Sequence, residues 1–183
     1  LLYRTYAGNV LDWQPSDWAE ECRHRMEGCP AGELLPGNEF NLGVEHGSEI
    51  WSDHIQWLTM FAAYWRKISK VPLHLPALSP SARWVEGLLP YQKAGLDTLF
   101  DRIDCHAYGP DAAEVVEVTK GILHGPIDVT EMNAVNPRAF WDANPPAESA
   151  TWFIVGGSDD WAEYDLLKQP EHYQSFKHLP TGG

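Results

Sequence analysis

Three short stretches of the chain carry the side chains best suited to chemistry: Asn38-Glu39, His106-Ala107-Tyr108 and Glu131 before Met132-Asn133. Two Glu residues drawn from separate strands can face each other across a substrate. Glycoside hydrolysis needs that pair, one carboxylic acid to protonate the departing oxygen and one carboxylate to attack the anomeric carbon or activate water. A gap of about 5–5.5 Å between the carboxyl groups gives double displacement with retention, and about 6.5–9.5 Å gives inversion. Sequence spacing does not set that gap; the fold does.

The elements that must position these residues read as alternating short apolar runs and amphipathic helices, the signature of βα units with parallel strands. Strands are expected at Leu1 to Gly8, Gly32 to Phe40, Leu73 to Leu78, Ile103 to Tyr108, Ile127 to Met132 and Thr151 to Gly156. Between them, Ser16 offers an N-cap for a helix running to Met26 and stopped by Gly28 and Pro30. The clearest helix covers Ser48 to Ser69, where Trp51, Ile55, Leu58, Ala62, Trp65 and Ile68 recur at three- and four-residue steps as a core stripe. Helices are also expected at Pro90 to Arg102, with Pro90 in the first turn, at Asp111 to Leu123, at Pro137 to Asp142 and near Glu171 to His178.

A (β/α)8 barrel takes roughly 31 residues per unit. The 183 residues here therefore make roughly six units, in agreement with the strand count. The expected fold is α/β, a partial or open TIM-type barrel in a single domain over residues 1–183. Functional side chains of such a barrel gather where strands end, because those ends and the loops after them form one mouth. The second, fourth and fifth runs end on the three stretches named above.

Asn38-Glu39, then His106-x-Tyr108 two strands later, then Glu131 on the next strand, resembles the order in clan A glycoside hydrolases, a (β/α)8 group of retaining enzymes. The resemblance numbers the six strands as three to eight. It implies Glu39 as acid/base, Glu131 as nucleophile, Asn38 as a hydrogen-bond partner of the sugar 2-hydroxyl, Tyr108 as the residue orienting and ionising Glu131, and His106 lining the site beside the acid/base. The clan's aromatic platform after strand eight is usually Trp. The run Thr151 to Gly156 ends in small and aliphatic residues instead, so Trp161 in the following loop is the candidate replacement. Arg4 on the first strand is a candidate substrate contact. The implied activity is hydrolysis of β-glycosidic bonds in a poly- or oligosaccharide, with no cofactor or metal. The alternative is a glycosidase-derived module that binds carbohydrate and turns over poorly.

Composition excludes other classes. A formal charge of -13 without a basic cluster leaves no footprint for nucleic acid. No apolar run reaches the roughly 18–20 residues of a membrane span. Cys22, Cys29 and Cys105 cannot all pair and show no zinc-type spacing, so a disulfide framework is not expected. Glu45, His46, Glu49, Asp53 and His54 invite a metal-hydrolase reading, but their spacing matches no recognised ligand motif and a solvated helix face is expected. Six strands leave two unpaired edges, to be met by covering segments or by a homodimer. The Leu1-Leu2 start, with neither an initiator Met nor a signal pattern, reads as a processed or partial chain. A secreted setting would suit a polymer-cleaving enzyme.

Overall fold

A computed structural model describes residues 2–5, 10–42, 51–80, 84–133, 137–143 and 145–152. Six strands run in sequence order: β1 (Leu2–Arg4), β2 (Glu33–Leu35), β3 (His74–Leu75), β4 (Arg102–Tyr108), β5 (Ile127–Asn133) and β6 (Ser149–Trp152). Every ladder is parallel; β1 pairs with β2, and β3 to β6 pair in order. The bridge from Leu34 to Leu73 and the hydrogen bond from Leu34 N to Pro72 O at 2.9 Å join the two groups. Each strand thus neighbours the next in the chain, the order of a TIM-type barrel. Among the described residues no strand covers the outer edges of β1 and β6.

Helices occupy the connections: α1 (Pro15–Met26), α2 (Trp51–Ile68), α3 (Trp84–Lys93), α4 (Leu96–Leu99), α5 (Ala112–Ile122) and α6 (Pro137–Asp142). The α2 stripe is core as expected, with Leu58, Ala62 and Trp65 buried. Trp57 and Phe61 join it, and the rings of Trp57, Phe61 and Trp65 stack at one-turn steps, 5.2 and 6.2 Å between centroids. Each buried indole finds a carbonyl: Trp18 donates to Pro36 O and Trp65 to Val71 O, both at 2.9 Å. His54 departs from the solvated face expected of it. It is fully buried against Phe40 and Trp51, whereas Asp53 is exposed and Glu45, His46 and Glu49 lie outside the described residues.

Other expectations shift for local reasons. Helix α1 starts at Pro15, whose fixed φ suits the first helical position; Gln14 is the N-cap, and the Ser16 hydroxyl turns to Asp17 instead. Helix α3 begins at Trp84, which puts Pro90 inside the helix, not in its first turn. The burial of Gly87, Leu88 and Tyr91 fixes this helix despite the lost donor. It ends before Gly95, whose φ of 72° turns the chain into the separate α4. A Cβ on Gly87 would lie 2.7 Å from the Trp51 ring, so α2 and α3 approach through a residue that only glycine fits. The strands are shorter than their apolar runs. Pro36 and Pro76 follow β2 and β3 directly and cannot donate to a ladder. The expected helix near Glu171 to His178 and the end of the last strand run lie outside the described residues.

On β4, period-two alternation splits the residues cleanly. Ile103, Cys105 and Ala107 enter the apolar core beside Val116 of α5, while Asp104, His106 and Tyr108 form the opposite row. At the strand starts a polar layer ties five strands together. His74 contacts Glu33 at 3.3 Å and Asp128 at 3.8 Å, Arg102 pairs bidentately with Asp128, and the Ser149 hydroxyl donates to Asp128 at 2.6 Å.

Candidate active site

The expected catalytic residues converge at the opposite end of the strands. Glu39 does not end β2 itself. The ladder stops at Leu35, and Glu39 follows a bend at Asn38 with its backbone at φ 26°, the one non-glycine residue of positive φ among the described residues. Its carbonyl accepts from Leu42 N at 2.9 Å, and Asn41 bonds reciprocally with the Ser79 backbone at 2.9 and 2.7 Å, anchoring this segment to the chain after β3. The unfavourable φ holds Glu39, only 8% exposed, against the β4 row.

His106 is the hub. Its Nδ1 lies 2.8 Å from Glu39 Oε1 and 3.8 Å from Glu131 Oε2, so both carboxylates face one ring nitrogen. Tyr108 donates its phenolic O–H to Glu131 Oε2, and Arg4 donates to Glu131 Oε1. The Asn38 amide oxygen, next to Glu39, is buried and accepts no hydrogen bond among the described residues. Arg4 thus meets Glu131 directly, and Trp161 lies outside the described residues.

A break in register sets this geometry. Cys105 pairs with Val129 and His106 with Glu131, leaving Thr130 without a partner across the ladder. The extra residue is a bulge on β5, a device that re-aims side chains. Thr130 and Glu131, which strict alternation would send to opposite faces, both turn toward Arg4. Arg4 Nη2 donates to Thr130 Oγ1 at 2.7 Å, and Thr130 donates onward to Asp104 at 2.6 Å. Thr130 and Asp104 are the residues that sequence reasoning missed. Asp104 was accessible to it, two residues before His106 on one strand; the bulge left no sequence signal.

The electrostatics divide the roles. Burial would push the Glu131 carboxyl up, but the charges of His106 and Arg4 and the hydrogen bonds from Tyr108 and Arg4 outweigh it and hold Glu131 below the usual carboxylate range. Burial also opposes charge on His106. The hydrogen bond to Glu39 and the charges of Asp104, Glu131 and Glu39 overcome that and raise the ring above its ordinary value. Burial, then the Glu131 charge and the bond to it, push the Tyr108 phenol far up, which keeps it a donor. Beside Tyr108 opens a cleft of about 460 Å³ lined by Trp84, Val85, Asp111 and Glu114. No trio of His, Cys, Asp or Glu suited to a metal ion occurs among the described residues.

Parallel strands paired in chain order, with polar side chains gathered at their carboxyl ends, define a partial TIM-type barrel. No family model matches the chain, and no curated protein matches its sequence. Its structure is similar to a monomeric beta-xylosidase from Caulobacter crescentus CB15, with TM-score 0.57 and 16% identity over 80% of this chain and 39% of that one. It is similar to the GH39 enzyme from Xanthomonas axonopodis pv. citri, with TM-score 0.58 and 15% identity over 84% and 43%. A curdlan-specific exo-beta-1,3-glucanase of GH128 from Blastomyces gilchristii matches with TM-score 0.52 and 16% identity over 84% and 73%. At these identities the likeness is one of fold, that of a TIM-type barrel. The chain spans about two fifths of the length of the two bacterial proteins.

Proposed function

We propose that the chain carries the catalytic centre of a retaining β-glycosidase acting on a poly- or oligosaccharide, with Glu131 as nucleophile and Glu39 as acid/base. The observation that carries this reading is the meeting of both carboxylates at His106 Nδ1. Both contacts fall on one ring nitrogen, so the two carboxyl groups stand close together, which favours the short separation of a retaining pair over the wider inverting gap. The asymmetry of the surroundings supports the assignment of roles. Glu131 is held ionised by Arg4, Tyr108 and His106, as a nucleophile must be. Among the described residues the Glu39 carboxylate meets one donor, His106, and it faces the pair from a separate element.

In the first step Glu131 attacks the anomeric carbon while Glu39 gives its proton to the departing oxygen. In the second Glu39 takes a proton from water, which attacks the same carbon and releases Glu131. The half-buried Asn38 stands next to Glu39, where its amide group can meet a sugar hydroxyl, and Trp84 in the cleft beside Tyr108 offers a ring on which a sugar can stack. Arg4 reaches substrate only at the rim, since its guanidinium is engaged by Glu131 and Thr130.

The test is a screen on aryl β-glycosides and polysaccharides with the anomer followed by NMR, repeated with Glu39→Gln and Glu131→Gln. Retention in the parent, loss of at least about a hundredfold in each variant and azide rescue of Glu39→Gln on good leaving groups are expected. Unchanged turnover in both variants, or an inverted product, would sink the mechanism. Sugar binding without any hydrolysis would leave the carbohydrate-binding reading in its place.

A further inference from the structure

Asp104 lies on β4 one alternation before His106, its side chain 0% exposed. Oδ1 accepts from the Thr130 hydroxyl, but Oδ2 accepts no hydrogen bond among the described residues. A buried carboxylate oxygen without a donor is costly. The group facing it is His106 Nε2, 3.6 Å away. We propose that Asp104 is a positioning residue that holds His106 as a buried imidazolium, with Nε2–H toward Asp104 and Nδ1–H toward Glu39. Its catalytic consequence rests on the glycosidase reading above; the charge state of the ring does not.

The groups facing the ring come from four elements: Arg4 from β1, Glu39 from the segment after β2, Asp104 and Tyr108 from β4, and Glu131 from β5. With a neutral ring, Arg4 alone stands against three largely buried carboxyl groups. An imidazolium supplies the second cation, and the cluster becomes neutral when Glu39 holds the proton it delivers. One contact argues the other way, since Arg4 Nη2 lies 3.4 Å from the same Nε2 and would suit a neutral ring. That nitrogen already donates to Thr130 at 2.7 Å, and its partner Nη1 is held by Glu131, so Asp104 Oδ2 remains the unmet acceptor.

The relay has two effects. It directs a fixed N–H at the acid/base, and it places a positive charge beside the nucleophile from a residue that no substrate can touch. Removing the Asp104 charge therefore releases the His106 proton, weakens the hold on Glu39 and lifts Glu131 toward the ordinary carboxylate range.

The experiment is NMR of the folded chain labelled with ¹⁵N-histidine, titrated between about pH 5 and 8, for the parent and Asp104→Asn. Both His106 ring nitrogens should be protonated at pH 7 in the parent, and one should lose its proton in the variant. On an aryl β-glycoside kcat should fall about tenfold or more with KM within about twofold, and the acid limb of the profile should move to higher pH. A neutral parent ring at pH 7, or a ring unchanged by Asp104→Asn, overturns the inference. Should the variant not fold, the parent titration decides alone, with a neutral ring at pH 7 again overturning it and a charged ring upholding it. A charged ring that the substitution neutralises, in a protein that cleaves no glycoside, would refute the proposed function and leave this inference standing.

Discussion

Tyr108→Phe removes a single O–H and keeps the ring that packs edge-on to His106. The lost hydrogen bond runs to Glu131 Oε2. A hydrogen bond to a charged group contributes about 1.5–3 kcal/mol, and one pKa unit corresponds to about 1.36 kcal/mol. Arg4 still holds the other Glu131 oxygen, which favours the smaller figure, about tenfold, and the carboxyl should rise toward the ordinary carboxylate range. Glu131 must be ionised to attack, and its ionised form is what the folded site favours. The sign follows: with the donor gone, the acid limb of kcat/KM moves up, toward neutral pH. Below that limb the variant should be about tenfold slower than the parent, converging on a smaller deficit at higher pH where both are ionised. The assay is kcat/KM for an aryl β-glycoside across about pH 3–8, with thermal unfolding of both proteins as a control on folding. A limb that stays fixed or moves to lower pH would refute the idea that Tyr108 holds Glu131 ionised.

Two further outcomes follow from the backbone and from the far end of the barrel. At Glu39, with φ 26°, Glu39→Gly should be more stable than Glu39→Ala by about 1 kcal/mol, because only the alanine keeps a Cβ in a region costing about 1–3 kcal/mol; equal denaturation midpoints would remove strain from the account. Asp128→Asn should cost about 1–3 kcal/mol at neutral pH by weakening the Arg102 and Ser149 bonds. Burial raises the Asp128 carboxyl, but those bonds and the Arg102 and His74 charges lower it overall. Its contribution is therefore present above the usual Asp range and lost as pH falls through the depressed folded value, so the parent and variant midpoints should draw together in acid. A gap of the same size at pH 3 and pH 7 would contradict that linkage.

Much of this architecture is legible because burial writes a period into the chain. The α2 stripe from Leu58 to Trp65 and the β4 alternation of Ile103, Cys105 and Ala107 with Asp104, His106 and Tyr108 follow from which faces must leave water. Local chemistry competes with that period where the expectations failed. Proline after an apolar run cuts β2 and β3 short, and the burial of Leu88 and Tyr91 outweighs Pro90 as a helix-start signal. His54 reads as a solvated polar residue beside Asp53, yet the packing of Phe40 and Trp51 around it buries it completely.

The sequence by itself determined the order of six parallel strands and the polar residues that follow or close them, since hydrophobic periodicity and residue type are local properties. What only the tertiary structure decided is how those ends meet. The bulge at Thr130 turns Glu131 to His106, the bend at Asn38 carries Glu39 to the same ring nitrogen, and Arg4, 127 positions away in the chain, closes on Glu131. These are long-range contacts between buried charges, whose strength depends on distance and on exclusion of water, and neither quantity is encoded in spacing along the chain.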